Sequence, residues 1–425
     1  MKTLTAAIQF GSSRICAAAA WIDNNGQYEV AAIESVPAEG CIRHGQVVNT
    51  ADTAVRIKSL MQKLSNRVKT LGSNQLDAAY VGICGMSMRS MEHQPSLVLD
   101  DTGSVTSELL NALRRQSLTL PIPNYDILGL STMGHYVEDQ HLVGLHQLIV
   151  ADKRLRQGYK AAMDMARIRV AGYIATPLQL GDILTAEEKQ QGCLLIDLGA
   201  QLTSVSVYAE GSLRHLTVIP LGCDSVTQDI ASHGLRHADA ENIKQNWSDA
   251  SPTPDELSEA SSMACPIPLK ELHVIVTSRY EELALNIAHQ VEKSGYKGQL
   301  AGGCVLTGGG SMQKGLTALL SKRLDIGRIS TRSCNSLRYQ SSERKPYLAS
   351  LMTMLSACTT SCEQQPELEL LADGPDKPQV RQQTEKPASA VRKESRTSDG
   401  INFSRKRAAD GIKGFFGDLF SGLDE

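Results

Sequence analysis

The sequence predicts an α/β fold that contains two copies of one strand-turn-strand unit. The strand-like runs are residues 4–10, 15–22 and 28–36 in the first copy and residues 193–198, 203–208 and 212–219 in the second. Residues 8–12 align with residues 196–200 across the first turn of each copy. A helical pattern follows each copy, over residues 51–72 and from Val226 onward. The duplication indicates a chain with two related halves.

Length and composition limit the function classes. The chain has 425 residues, enough for two to four domains, and a net charge of −3. That charge provides no global field for nucleic acid, so no nucleic-acid partner is expected. The ten cysteines have no spacing typical of a zinc site and indicate reduced thiols in a cytosolic protein.

Three glycine-containing turns are candidates for holding phosphate groups. They are Gly11-Ser12-Ser13, the turn that begins at Gly199, and Gly308-Gly309-Gly310, which follows a strand over residues 303–307 and precedes a predicted helix over residues 313–324. Backbone N–H groups can approach an anion where no Cβ intervenes. A tight turn alone is the alternative for each one, but their order favours a nucleotide site.

The C-terminal segment has a different character. A predicted linker, rich in polar residues, precedes an apolar stripe with helical spacing. The predicted membrane-contacting residues of this segment are Ile412, Lys413, Phe415, Phe416, Leu419, Phe420 and Leu423. Three of the five phenylalanines of the chain lie in this stripe, and basic residues precede it. The pattern favours an amphipathic helix at a membrane surface; docking on this protein or on a partner is the alternative.

Together with these turns, further motifs resemble the FtsA family of bacterial cell-division proteins, within the actin-like ATPase superfamily. They are Val305-Leu306-Thr307-Gly308-Gly309-Gly310, Val226-Thr227-Gln228-Asp229-Ile230-Ala231, Ser278-Arg279-Tyr280-Glu281-Glu282-Leu283 and Pro346-Tyr347-Leu348-Ala349. The resemblance covers residues 1–360 and the extreme C-terminus. It implies an actin-like two-lobed fold of duplicated ribonuclease-H-like units with an inserted subdomain called 1C.

The resemblance also implies domain boundaries. Subdomain 1A is expected at residues 1–83 and 152–191, 1C at 84–151, 2A at 192–224 and 299–360, and 2B at 225–298, followed by a flexible linker at 361–409 and the membrane-targeting helix at 410–425.

The nucleotide site implied by the resemblance would bind ATP with Mg²⁺. Its expected residues are Gly11, Ser12, Ser13, Asp197, Gly199, Thr203, Gly222, Glu241, Lys244, Gly308, Gly309 and Gly310. Asp197 would contact Mg²⁺ through water, or alternatively cap its turn. Glu241 and Lys244 would bracket base and ribose, or alternatively form an exposed helical pair.

Two departures from the family pattern weaken this site. Gln9 stands where the family usually has an acidic residue, and Ala200, Gln201 and Leu202 replace the glycines and hydroxyl of the second turn. An amide organises Mg²⁺-bound water poorly, and added side chains obstruct the approach of phosphate. The expected result is weakened ATP binding with slow or absent hydrolysis and no confident catalytic residue.

The resemblance implies a structural adaptor that polymerises and anchors the FtsZ ring at the cytoplasmic face of the inner membrane, at the septum. Its partners would be FtsZ, further copies of itself, membrane lipid and later division proteins. The alternatives are an actin-superfamily ATPase or phosphotransferase and a PilM-like pilus assembly scaffold.

Overall fold

The computed structural model describes residues 2–23, 27–72, 75–100, 103–251, 265–334 and 346–363. The first lobe is defined by the sheet that contains the N-terminal strands. Its elements before the insert are β1 (Thr3–Phe10), β2 (Arg14–Ile22), β3 (Tyr28–Pro37), β4 (Ile42–Arg43), β5 (Gln46–Val47), α1 (Thr50–Thr70) and β6 (Ala78–Ile83).

The insert and the return to the first lobe follow in the chain. The insert contains β7 (Arg89–His93), β8 (Ser96–Val98), α2 (Ser107–Leu118), β9 (Tyr125–Glu138) and β10 (His141–Asp152). The return contains α3 (Lys153–Ala166), β11 (Arg169–Ala175), α4 (Thr176–Gln179), a 3₁₀ turn (Leu180–Ile183) and α5 (Ala186–Gln191).

The second lobe is defined by the sheet of the second repeat. Its elements, with the last helix of the described chain, are β12 (Cys193–Leu198), β13 (Thr203–Ala209), β14 (Ser212–Ile219), α6 (Asp224–Ala231), α7 (His237–Trp247), α8 (Leu269–Lys293), β15 (Gly303–Thr307), a 3₁₀ turn (Gly309–Met312), α9 (Leu316–Leu324), β16 (Ile329–Thr331), a 3₁₀ turn (Pro346–Leu348) and α10 (Ala349–Ser356).

The two lobes have the same strand order. The first sheet runs β11-β6-β1-β2-β3, and the second contains β16-β15-β12-β13-β14. In each, the first strand of the repeat pairs antiparallel with the second and parallel with a later strand. The prediction of a duplicated, actin-like α/β fold is confirmed by this arrangement.

Strand β12 is buried on both faces. Cys193 and Leu195 belong to a core shared with the first lobe, whereas Leu194, Ile196 and Leu198 belong to a second core beneath α8 and α9. Successive strand residues point to opposite faces, so this unbroken apolar run fits a strand covered on both sides. β12 therefore connects the packing of the two lobes.

Helix α1 covers the first sheet and follows the predicted apolar periodicity. The Asn49 side chain caps its N-terminus by accepting a hydrogen bond from the Asp52 N–H. Ile57, Leu60 and Leu64 are fully buried on the face that packs on the sheet.

The insert joins the edge of the second sheet. Strand β14 pairs with β7 at Thr217 and Arg89, and the Leu216 N–H donates to Ser90 Oγ over 2.9 Å. Strand β9 is absent from the sequence-based prediction because Gly129 and Gly134 interrupt its pattern. A Cβ at Gly129 would lie 2.7 Å from Leu178 Cδ2, so a side chain there would require Leu178 to move.

Two further differences concern the chain beyond β15. Helix α9 begins at Leu316 and not at residue 313, because Gly315 has a left-handed φ of 77°. The expected boundary placed residues 299–360 in one subdomain with the second lobe, but α10 packs in the core of the first. A Cβ on Gly82 of β6 would lie 2.6 Å from Met354 Sδ of α10.

An ion pair fixes α5 against the chain after β16. Arg332 donates to both carboxylate oxygens of Glu188, at 2.7 and 2.8 Å, and also to the Ile183 carbonyl. The Arg332 hydrogen bonds lower the pKa of Glu188 to about 2, against the effect of burial. This pair stabilises the fold fully above the ordinary glutamate pKa and loses its effect as pH falls towards 2.

We predict that Glu188→Gln lowers the free energy of unfolding at pH 7 by about 2–4 kcal/mol, since the charge-assisted bonds to Arg332 are lost. Urea unfolding at pH 7 and pH 3.5 measures the effect, which should be smaller at the lower pH. Glu187→Gln is the control, because Glu187 is exposed and accepts only from Gln191 within the described chain. Equal losses for the two variants would contradict the prediction.

Candidate functional site

The first two glycine turns have nearly the same geometry. The Gly11 N–H donates to the Arg14 carbonyl over 3.1 Å, and the Gly199 N–H donates to the Leu202 carbonyl over 2.9 Å. A Cβ on either glycine would lie 2.8 Å from that same carbonyl oxygen. The tight closure of the turn therefore explains both glycines before any ligand is considered.

The β4–β5 hairpin of the first lobe lies between these turns. Shortly before this hairpin, the Ala38 N–H donates to the carbonyl of Ser13 in the first turn over 3.0 Å. At the hairpin tip, the His44 N–H donates to Gln201 Oε1 of the second turn over 3.0 Å. One short segment thus contacts both predicted phosphate turns and brings the two lobes together there.

The third turn lies against the end of β12. Gly308 has a φ of 83°, and a Cβ there would lie 2.4 Å from Asp197 Oδ1. A Cβ on Gly310 would lie 2.0 Å from Cys223 Sγ, whereas Gly309 faces only Tyr347 at 3.8 Å. Gly308 and Gly310 are therefore required by packing against the protein itself.

Tyr347 links the third turn to the first. Its ring lies beneath the Arg14 guanidinium, 5.2 Å from the ring centroid, while its Cβ is the nearest neighbour of Gly309. The structure therefore brings together Gly11, Gly199 and Gly308 with their turns, as the sequence order suggested.

Asp197 lies at the end of β12, between the second and third glycine turns. Ser350 Oγ donates to its Oδ2 over 3.1 Å. Burial raises the pKa of Asp197 to about 6, although the Ser350 hydrogen bond opposes the shift. The carboxylate is consequently ionised at neutral pH, and its ionisation lowers the free energy of unfolding.

The predicted residues Thr203 and Gly222 stabilise the second turn. Thr203 Oγ1 donates to the Leu221 carbonyl over 2.7 Å, so its buried hydroxyl has an internal partner. A Cβ on Gly222 would lie 2.4 Å from the Ala200 carbonyl oxygen. The Asp224 N–H donates to that carbonyl over 2.7 Å, which attaches the turn to the start of α6.

Lys244 and Glu241 form an internal cluster with Thr227. The Lys244 ammonium donates to Glu241 Oε2 and Thr227 Oγ1, each over 2.6 Å, and to the Cys223 carbonyl over 3.0 Å. These bonds use all three donors of the ammonium. Burial would raise the pKa of Glu241, but hydrogen bonds from Lys244 and Thr227 lower it overall. Lys244 is buried, so the pair is not the exposed helical pair considered as the alternative.

The turns fit an anion unequally. Within the described residues, the backbone N–H groups of Ser12 and Ser13 donate to no protein group, and both residues reach the surface. Such adjacent N–H groups are a suitable partner for phosphate. In the second turn, the Gln201 side chain is already bonded to His44. The Ala200 and Gln201 N–H groups likewise donate to no protein group in the described chain, so the two turns differ in their side chains and not in their available N–H groups.

Asp197 is the candidate magnesium ligand that the sequence predicted in this site. No cluster of three or more His, Cys, Asp or Glu side chains suited to a metal occurs in the described chain. Asp197 is at the end of β12, and the matching position of β1 is Gln9; the other carboxylate next to the second turn, Asp224, contacts the side chains of Gln201, Gln228 and His237. Bound Mg²⁺ would depend on oxygen atoms from a nucleotide and on water.

The predicted membrane-contacting residues from Ile412 to Leu423 lie outside the described residues. Across the part that is described, no helix is both long and apolar enough to cross a bilayer.

We predict that Asp197→Asn raises the free energy of unfolding at pH 7.5 by about 1–3 kcal/mol, because it removes a buried charge whose folded pKa exceeds its unfolded value. The gain should decrease between pH 6 and pH 4, where the folded carboxyl takes up its proton first. Urea unfolding across this range measures it.

Asp164→Asn is the control, since the Asp164 carboxylate is exposed and pairs with Lys160 one helical turn away. A pH-independent effect of Asp197→Asn would contradict the assigned cause.

Comparison with known proteins supports the relationship inferred from the motifs. Residues 194–352 match the family model for cell division protein FtsA. The chain is 26% identical over 349 residues to the FtsA of Porphyromonas gingivalis, covering 76% of this chain and 71% of the relative. It is 25% identical over 335 residues to the FtsA of Pseudomonas aeruginosa, covering 73% and 79%.

A solved structure supports the fold. A chain of the PilM-PilN type IV pilus biogenesis complex superposes with a TM-score of 0.62 at 17% identity, covering 84% of this chain and 99% of that one. The chain is thus similar in sequence to FtsA proteins over the matched residues, and its duplicated sheets form an actin-like fold.

Proposed function

We propose that this chain is an actin-like adaptor of bacterial cell division that self-associates and tethers the FtsZ ring to the cytoplasmic face of the inner membrane at the septum. The similarity to FtsA proteins, with the predicted actin-like fold, supports the division role. Later division proteins would be further partners of the assembled layer.

The C-terminal apolar stripe is the observation that carries the membrane part of the proposal. Residues 412, 415, 416, 419, 420 and 423 have the spacing of one helical face, and Lys413 adds a cation beside them. Burial of large apolar side chains in the interface contributes a few kcal/mol, and each nearby cation adds about 1 kcal/mol on an anionic leaflet. Adsorption would therefore be reversible and would increase with assembly of several copies.

Nucleotide would act as a structural ligand at the three converging turns. The Ser12 and Ser13 N–H groups would contact phosphate, and Asp197 would face a bound Mg²⁺ through water. Gly308, Gly309 and Gly310 would contact the nucleoside part of the ligand. The cluster of Glu241 and Lys244 would stabilise the protein around the site. The engaged Gln201 side chain and the neutral Gln9 support weak binding with slow or absent hydrolysis.

A pilus assembly scaffold is the second candidate, because a chain of the PilM-PilN pilus biogenesis complex has a similar fold over nearly its whole length. Binding of FtsZ distinguishes the two candidates, since the adaptor requires it and the pilus scaffold does not.

We predict that Phe416→Glu combined with Phe420→Glu abolishes most flotation with vesicles containing anionic lipid, because two charges would enter the apolar face. Vesicle flotation measures the bound fraction, and FtsZ added to the same mixture should float with the unmodified chain and the control variant but not with the Phe416 and Phe420 variant. Ile401→Glu combined with Phe403→Glu is the control, since it adds the same charge outside the stripe.

Unchanged flotation of the Phe416 and Phe420 variant would exclude the stripe as the membrane contact. Flotation of the chain without recruitment of FtsZ would favour the pilus scaffold.

We predict weak ATP binding, with phosphate release far below the typical enzyme turnover of about 10 per second. Calorimetry with Mg²⁺ and ATP gives the affinity, and a phosphate-release assay gives the rate. Brisk hydrolysis would instead favour the ATPase or phosphotransferase alternative.

A further inference from the structure

We propose that Gln201 and His44 form a clasp that holds the two lobes together at the second glycine turn without a bound nucleotide. Gln201 follows β12 in the second lobe, and His44 is the tip residue of the β4–β5 hairpin in the first. The clasp acts on lobe closure, so it goes beyond the proposed roles in lipid binding and FtsZ binding.

Two hydrogen bonds join the residues directly. The His44 N–H donates to Gln201 Oε1 over 3.0 Å, and His44 Nδ1 lies 3.2 Å from the Gln201 carbonyl oxygen. Because a carbonyl can only accept, the second bond requires the proton of the His44 ring on Nδ1. Both the side-chain oxygen and the backbone carbonyl of Gln201 therefore contact His44 of the first lobe.

The hairpin holds His44 in a conformation that is uncommon for a residue with a side chain. The φ of His44 is 46°, and the next residue is Gly45, where a Cβ would lie 2.2 Å from the Cys84 carbonyl oxygen. The buried Tyr159 hydroxyl donates to the Gly45 carbonyl and lies 3.2 Å from the Cys84 carbonyl oxygen. The first lobe thus presents a rigid tip to Gln201, and the uncommon backbone indicates a positional role.

Gln201 is also hydrogen-bonded to a helix of its own lobe, the second. Its Nε2 lies 3.3 Å from Asp224 Oδ2 at the start of α6. Asp224 also accepts from Gln228 Nε2 over 2.8 Å and lies 2.8 Å from His237 Nε2, which is on α7. A polar chain therefore runs from the hairpin of the first lobe to two helices of the second.

A glycine or alanine at position 201 could make only the backbone part of this contact. The amide side chain supplies one acceptor for His44 and one donor for Asp224, which no apolar residue provides. Gln201 is therefore a positioning residue for the closed arrangement of the lobes.

Hydrogen exchange followed by mass spectrometry tests the clasp on the full chain without nucleotide, lipid or FtsZ. The His44 amide itself donates to Gln201, so a peptide spanning residues 41–48 reports the contact directly. Gln201→Ala should accelerate exchange in this peptide by about fivefold or more, as expected for loss of a hydrogen bond near 1 kcal/mol. His44→Ala, which removes only the ring contact, should accelerate the neighbouring amides to a smaller extent.

Gln191→Ala is the matched control, because Gln191 is an exposed glutamine whose bond to Glu187 stays within α5. Peptides from β12 and β15 should keep their protection in every variant, which establishes that the fold is intact. Exchange at residues 41–48 no faster in Gln201→Ala than in Gln191→Ala overturns the clasp. If Gln201→Ala does not fold, His44→Ala decides alone, and wild-type exchange in it overturns the clasp.

Because no ligand is present in this assay, its outcome is independent of whether ATP binding, membrane binding or FtsZ recruitment is found.

Discussion

The burial of β12 on both faces is the constraint on which the rest of the structure depends. Its alternate residues belong to two different cores, so the strand cannot shift by one residue without exchanging those cores. Its register with β15 then brings Asp197 opposite Thr307 and next to Gly308. The candidate site is thus located by packing, and the polar groups at the end of the strand follow from that placement.

The polar groups of the site are mostly satisfied by the protein. Thr203, Lys244 and the Gln201 side chain each have internal partners, and protein atoms occupy the space that side chains on Gly308 or Gly310 would need. An enzyme site usually keeps polar groups poised for the reacting atoms. The arrangement is more suitable for holding a conformation than for rapid turnover, which agrees with the proposed adaptor role.

The clasp and the proposed nucleotide would act on the same equilibrium. A ligand that bridges the lobes favours closure only by its differential affinity for the closed state. If Gln201 and His44 already favour closure, the added effect of nucleotide on shape is small, and assembly would depend less on nucleotide state. Gln201, which departs from the glycine-rich family pattern, would then have a function of its own and would not simply weaken nucleotide binding.

By itself, the sequence determined the repeated strand-turn-strand unit, the order of the three glycine turns and the amphipathic periodicity of α1. These features are local: turns need particular residues, and strands and helices have characteristic periods. The C-terminal stripe was equally readable but lies outside the described residues. Strand β9 was missed because glycines interrupt its pattern, and the reason for one of them, the space that Leu178 occupies next to Gly129, is distant in sequence.

Only the tertiary structure decided which groups meet. It placed α10 in the first lobe, gave Lys244 three internal acceptors and set Gln201 against His44, which is 157 positions away in the chain. The sequence marked Gln201 merely as an unusual residue in a turn. Its partner could not be inferred, because hydrogen bonds between lobes depend on how two separately folded sheets pack, and residue periodicity carries no information about that packing.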